Sequence, residues 1–270
     1  MDLSKFLAHS AKVETHDLDW ELAARIGLSD DEATILTYFA DIEGQTIFYL
    51  REILSTKAAM ESDVIGFTTM WNYEEYFHAE ALARLLRVCG HELSKERTSR
   101  VRATAKLRAR IEDLVQRALG RIFRPQFPAL YMAWGASQEL LTLRGYEQII
   151  RNTANPVLRE LCERIAKQER RHFAWYFNSA RKRLAASGMA RILTRWAFRY
   201  WTPVGVGVKS IEESHALAQA LFAGDLPELA ADYDRKLTEL PGLEGMEILR
   251  RFAREVQATR SAAPVASLAS

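Results

Sequence analysis

Glutamate and histidine recur three residues apart at Glu75/His78 and again at Glu169/His172. On a helix that spacing puts both side chains on one face, one turn apart. Each pair interrupts an apolar stripe. Val64, Thr68, Trp71, Leu82 and Leu85 share the face of the first, and Leu158, Leu161, Ile165 and Tyr176 that of the second. Two further glutamates are placed alike: Glu43 between Phe39 and Ile47, and Glu139 flanked by Met132, Ala136 and Leu143. The order along the chain is Glu, Glu-x-x-His, Glu, Glu-x-x-His. Unpaired carboxylates on buried stripes cost several kcal/mol each or take up protons. Two divalent cations balance four carboxylates in charge, and neutral imidazoles complete the coordination. Four carboxylates and two imidazoles converging inside a helical bundle form the ligand set of a dinuclear iron or manganese centre.

With 24 glutamates and six histidines in 270 residues, roughly 0.5 Glu-x-x-His pairs arise by chance. One pair is therefore weak evidence. A third, Glu212/His215, follows the Pro203–Gly207 break, lacks a partner glutamate and reads as a coincidence. The other two differ because each follows a helix with its own inward glutamate. The separations, 32 residues from Glu43 to Glu75 and 30 from Glu139 to Glu169, are each about one helical hairpin. The competing reading is four surface acids and two satisfied core histidines.

The elements that must position these residues read as helices. Ser29, followed by Asp30, Asp31 and Glu32, predicts an N-cap and an acidic first turn. The helix it opens carries Leu36, Phe39, Ile47, Leu50 and Leu54 at the period of 3.6. A second helix is predicted from about Ser62 to Cys89, ending at Gly90, and a third over about 129–152. Asn155 and Pro156 predict the cap and first position of a fourth, running to about Ala186 before Gly188. Between the second and third, residues 97–118 read as a basic helical insertion closed by Gly120, Pro125 and Pro128. Shorter helices are expected near 210–222 and 244–258. The fold class is thus all-α: a four-helix bundle over 29–187, an N-terminal extension (1–28), a C-terminal helical extension packed on the bundle (188–259) and a disordered tail (260–270).

A net charge of +2 excludes a global field for nucleic acid. Local bias remains: residues 95–124 hold ten Lys or Arg against three acids, and 181–199 hold six against none. Such runs are solvated helix faces or docking sites for acidic partners. Cys89 and Cys162 are isolated, with no CxxC pair, which suits a reducing cytoplasm. No apolar run is long enough for a signal peptide or a membrane span.

With these motifs in place, the sequence resembles the ferritin-like superfamily, and within it the soluble acyl-acyl carrier protein desaturases, over about residues 30–180. That family's Glu-Glu-x-x-His is matched by Glu74-Glu75-Tyr76-Phe77-His78, and its Gln-Glu-x-x-Thr by Gln138-Glu139-Leu140-Leu141-Thr142. Its Asp-Glu-x-Arg-His is matched, except at the first residue, by Gln168-Glu169-Arg170-Arg171-His172. The resemblance implies a ferritin-like bundle and two iron ions (or manganese at one or both positions) held by Glu43, Glu75, His78, Glu139, Glu169 and His172. Glu74 and Gln168 would back the ligands. It also places Thr142, one turn past a bridging-type Glu139, where its hydroxyl serves oxygen activation; the alternative is a threonine bonded back to its own helix. Gln168 is the departure. The family has an acid there as partner of a metal-bound histidine; an amide accepts the same hydrogen bond without adding charge, so the electron route associated with that acid is missing its carboxylate.

The implied reaction is O2-dependent desaturation of an acyl thioester, with electrons from an external donor such as a ferredoxin. Phe39, Trp71, Tyr146 and Phe173 are candidates to line an apolar slot, or else ordinary core. Arg102 and Arg108 are candidates to dock acyl carrier protein, and related enzymes are homodimers. Hydroxylation, N-oxygenation or oxidative cleavage on the same scaffold is the alternative, and an iron-storage or peroxide-handling role a further one. A radical-bearing reductase subunit fits less well, because its tyrosine position is Leu82 here.

Overall fold

Local capping chemistry fixes where the long helices start. The Ser29 side chain accepts the Glu32 N–H while Glu32 accepts the Ser29 N–H, a reciprocal cap. Asn155 accepts the N–H groups of Val157 and Leu158 ahead of Pro156. In the computed structural model, which describes residues 3–54, 56–93, 123, 125–205 and 211–262, every α-helix or 3-10 turn belongs to one all-helical array, with no strand among the described residues. The helices are α1 (Leu3–Leu7), α2 (Trp20–Ile26), α3 (Asp30–Glu43), α4 (Thr46–Leu54), α5 (Ser62–Val88), α6 (Phe127–Asn152), α7 (Pro156–Ala186), α8 (Gly188–Phe198), α9 (Ile211–Phe222), α10 (Leu226–Leu237) and α11 (Leu249–Ala262).

Helix α3 lies along α5 and α6 along α7, so the helices that carry the four glutamates and two histidines form two pairs. Two glycines permit close approach on α6. A Cβ at Gly135 would stand 2.3 Å from the Tyr176 ring, and one at Gly145 2.5 Å from Phe39. One apolar core runs from Phe6 to Val256 and takes in both extensions. At the N-terminal end Phe6 is buried against Phe67 and Trp175, with ring centroids 4.9 and 5.7 Å away. At the C-terminal end, Ser137 of α6 ties down two aromatics: Trp201 Nε1–H donates to its hydroxyl (2.8 Å) and Tyr233 O–H to its carbonyl (2.7 Å). No described helix is long and apolar enough to cross a membrane.

The first predicted helix is two. The chain breaks at Gly44–Gln45, and the Thr46 hydroxyl donates to the Glu43 carbonyl (3.0 Å). Past the break Ile47 and Leu54 are exposed rather than on the core stripe, although Leu50 remains buried. Pro128 does not close the preceding segment; it stands in the first turn of α6. Helices α8 and α10 are additional to the two short C-terminal helices expected. The last helix begins at Leu249, not near 244, because the Asp234 carboxylate accepts the N–H groups of Ile248 (3.0 Å) and Leu249 (2.8 Å). It also runs to Ala262, past the start expected for a disordered tail. The basic insertion, with Arg102 and Arg108, lies outside the described residues.

Candidate metal centre

Glu43 at the end of α3, Glu75 and His78 on α5, Glu139 on α6, and Glu169 and His172 on α7 meet in the middle of the array, all buried. They form two overlapping groups, Glu43–Glu75–His78–Glu169 and Glu75–Glu139–Glu169–His172. Within each, one ligand atom per residue lies within 4.8 Å of the others.

Individual oxygens divide between the groups. His78 Nδ1 lies 3.1 Å from Glu169 Oε1, 3.8 Å from Glu43 Oε2 and 3.9 Å from Glu75 Oε2. His172 Nδ1 lies 3.0 Å from Glu75 Oε1 and 3.6 Å from both Glu139 Oε2 and Glu169 Oε2. Glu75 and Glu169 therefore offer one oxygen to each side. This corrects the bridging position expected for Glu139, which belongs to one group alone. The reason is geometric: the carboxylates on the histidine-bearing helices stand between the two imidazoles, whose ring centroids are 5.9 Å apart.

The outward atoms are held in place. Tyr146 O–H donates to Glu43 Oε1 (2.7 Å), and Trp71 Nε1–H to Glu139 Oε1 (3.0 Å), leaving each Oε2 directed at a histidine. His78 Nε2–H donates to Gln168 Oε1 (2.7 Å) and His172 Nε2–H to Glu74 Oε2 (2.6 Å). The residue before each motif glutamate thus supports the histidine of the other motif. An N-terminal strap joins the two supports. The Ala11 N–H donates to Glu74 Oε1 (3.0 Å), and Gln168 Nε2–H donates to the Ala11 carbonyl (2.9 Å). Arg171 donates to Glu74 Oε1 (2.7 Å) and to the His9 carbonyl.

With the outward atoms satisfied, five of the inward ones are not. Glu75 Oε1, His78 Nδ1, both oxygens of Glu169 and His172 Nδ1 are buried without an aligned hydrogen-bond partner. Buried polar atoms are rarely left so. Here five of them border the same small space, and the mixture of carboxylate oxygens and imidazole nitrogens fits first-row divalent cations such as iron or manganese.

Without cations the charges stabilise one another through protons. Burial drives Glu139 up to about 8, reinforced by the charge of Glu169, and Glu75 is raised well above the usual carboxylate range by burial and by Glu43 and Glu169. Burial opposes a charged His78, but contact with Glu169 and Glu43 outweighs it and lifts the ring to about 10. His172 is raised in the same way, burial being overcome by Glu139, Glu169, Glu74 and Glu75. Burial also opposes ionisation of Glu169, yet the two histidines hold it below the ordinary range.

An apolar cavity borders this cluster. Glu43 and Thr142 form part of its wall, with Phe39, Leu217, Leu221 and Phe252 among the rest. Of the four aromatics proposed for a slot, Phe39 lines this cavity. Trp71 and Tyr146 instead hold ligands, and Phe173 packs on Phe177 with ring centroids 5.3 Å apart. Sequence reasoning did not anticipate those two hydrogen-bonding roles, nor that of Ala11. Trp71 was visible one turn before Glu75, but an indole on an apolar stripe reads as core. His215 of the third motif does not join the cluster: its Nδ1 pairs with the Thr259 hydroxyl at 3.2 Å.

The sequence matches no family model and no curated protein.

Proposed function

We propose that this protein is a di-iron oxidoreductase of the ferritin-like type that oxidises an apolar carbon chain with O2, most simply by desaturating an acyl thioester. The observation that carries the reading is the pair of overlapping buried groups, whose outward atoms are hydrogen-bonded and five of whose inward atoms lack an aligned partner. Glu43 and His78 would hold one ion, Glu139 and His172 the other, and Glu75 and Glu169 both. Bound iron supplies the activation of O2 and the oxidising power to attack an unactivated C–H bond.

The chain's own residues do the rest. Tyr146 and Trp71 hold the terminal carboxylates, each with one oxygen directed inward. Glu74 and Gln168 hold the imidazole rings so that Nδ1 is the free ligand atom. The cavity walls present a mostly apolar surface beside Glu43, and Thr142 stands in the same wall. That wall favours a carbon substrate over iron storage, which has no use for an apolar recess. The neutral Gln168 favours a variant oxidation, such as hydroxylation or N-oxygenation, as the second reading.

Metal analysis together with the absorption spectrum of the oxidised protein tests the centre: about two irons per chain are expected. Product analysis with acyl thioesters and with amino substrates then separates the two reactions. Full metal content in a Glu75→Ala, Glu169→Ala double variant would overturn the reading.

A further inference from the structure

Helix α8 leaves an apolar face uncovered. Met189, Ile192, Trp196 and Tyr200 are 52%, 66%, 48% and 68% exposed. Met189, Ile192 and Trp196, at steps of three and four residues, share one face of α8 over about 10 Å, and Tyr200, in the turn that follows the helix, extends it, its ring centroid 5.5 Å from that of Trp196. The opposite face, with Ala190, Leu193, Thr194 and Phe198, is buried in the fold. Side chains exposed singly are ordinary; three in register along one helix, with a fourth continuing them in the next turn of chain, are a surface.

Cations border this stripe. Arg191, Arg195 and Arg199 follow one another at four-residue steps beside it, and exposed Arg181 and Lys182 precede it at the end of α7. Residues 181–199 contain no acid. The row is anchored: Arg191 donates to the Leu184 carbonyl (3.1 Å), and Arg195 to those of Gly242 and Glu244 (both 3.0 Å). These contacts are to neutral carbonyls, so the charges remain. Glu244 is the nearby acid, and its carboxylate accepts the Gly242 N–H.

We infer that α8 is a docking face for an anionic lipid surface. A convex apolar stripe with Trp and Tyr, edged by arginines, matches an interfacial helix that sinks its apolar side among acyl chains while its cations meet headgroup phosphates. A second copy of the chain is a poorer occupant, because it would bring another row of arginines into the same contact. The stripe also ends close to the cavity. Pro203 and Val204 line the cavity wall, and at most about 14 Å of chain separates Tyr200 from Val204. An acyl chain at the lipid surface would meet the cavity there; this last step rests on the proposed function, whereas the docking does not.

Sedimentation of the full chain with lipid vesicles tests the inference, and it reads partitioning independently of metal or oxidation. Binding is expected to vesicles with about 30% phosphatidylglycerol and not to pure phosphatidylcholine, and to weaken as salt rises. Ile192→Asp with Trp196→Asp should reduce partitioning at least about tenfold while leaving helicity and metal content unchanged. Arg199→Glu with Lys182→Glu, which leaves the buried side of α8 intact, should weaken anionic binding alone. Absence of wild-type binding, or equal binding by the apolar variant, would overturn the inference. So would self-association, or capture by an acidic soluble protein, that the apolar variant abolishes while vesicles go unbound. Loss of vesicle binding in a protein that still oxidises a soluble substrate would count against docking alone; the reverse result would count against the oxidase reading alone.

Discussion

His172 is supported by a carboxylate and His78 by an amide, although the two rings occupy equivalent places. Each lies on the motif helix with Nδ1 inward, and each donates Nε2–H to the residue preceding the other motif's glutamate. Glu74 carries charge, receives Arg171 and the Ala11 N–H, and lies below the ordinary carboxylate range: burial resists its ionisation, but His172 and Arg171 prevail. Gln168 is neutral and donates one Nε2–H to the Ala11 carbonyl. Near-symmetry thus governs the ligands, while the outer hydrogen bonds make the two positions electrostatically distinct. The His172 side is the more basic ligand environment and is expected to favour the more oxidised ion.

The largest effect expected separates shared from terminal carboxylates. Glu75→Ala or Glu169→Ala should reduce bound metal to below about 0.2 ions per chain, while Glu43→Ala or Glu139→Ala should leave about one. Metal analysis checks this, and one ion retained in Glu75→Ala would contradict the sharing. Next comes the asymmetry itself. Glu74→Gln makes the two supports alike and should weaken metal binding on the His172 side about 10–100-fold by competitive titration. Gln168→Glu should strengthen the His78 side by less, because the new carboxylate would face the Ala11 carbonyl. Equal affinities in the wild type would remove the basis of the comparison.

Proton competition is smaller and graded. At pH 7 Glu139, held near 8, and His78, held near 10, carry protons that an arriving cation must displace. Raising the pH lowers the competing proton concentration, so apparent affinity should increase, by about tenfold per pH unit for each proton released. A titration from pH 6 to 8 that is flat or falls would show the sites to be deprotonated beforehand. The smallest effect is expected at the outward carboxylate oxygen. Tyr146→Phe removes the donor to Glu43 and should cost about 1–2 kcal/mol of metal binding, with Trp71→Phe matching it at Glu139. A much larger loss at only one of the two would extend the asymmetry from the histidines to the carboxylates.

Both the legible and the illegible parts of this fold depend on where the relevant contacts lie in the chain. The cap at Asn155, the Pro156 start and the end of α7 near Ala186 are made by neighbours in sequence, and the residues state them directly. The start of α11 depends on Asp234, a cap supplied from another helix, and no local signal marks it. The break after Glu43 is intermediate: Gly44 is visible, but a single glycine within a periodic run does not reveal that the next turn changes direction.

The six candidate metal-holding residues were legible in the sequence, because acids and imidazoles on apolar helical stripes need a compensating charge wherever the helices meet. Which carboxylates are shared, which oxygens Tyr146 and Trp71 hold, and that Ala11 joins the supports of both histidines were decided only by the tertiary structure. Those choices depend on distances of a few ångströms between segments as much as 157 residues apart, and on a backbone amide that any residue at position 11, proline apart, could supply.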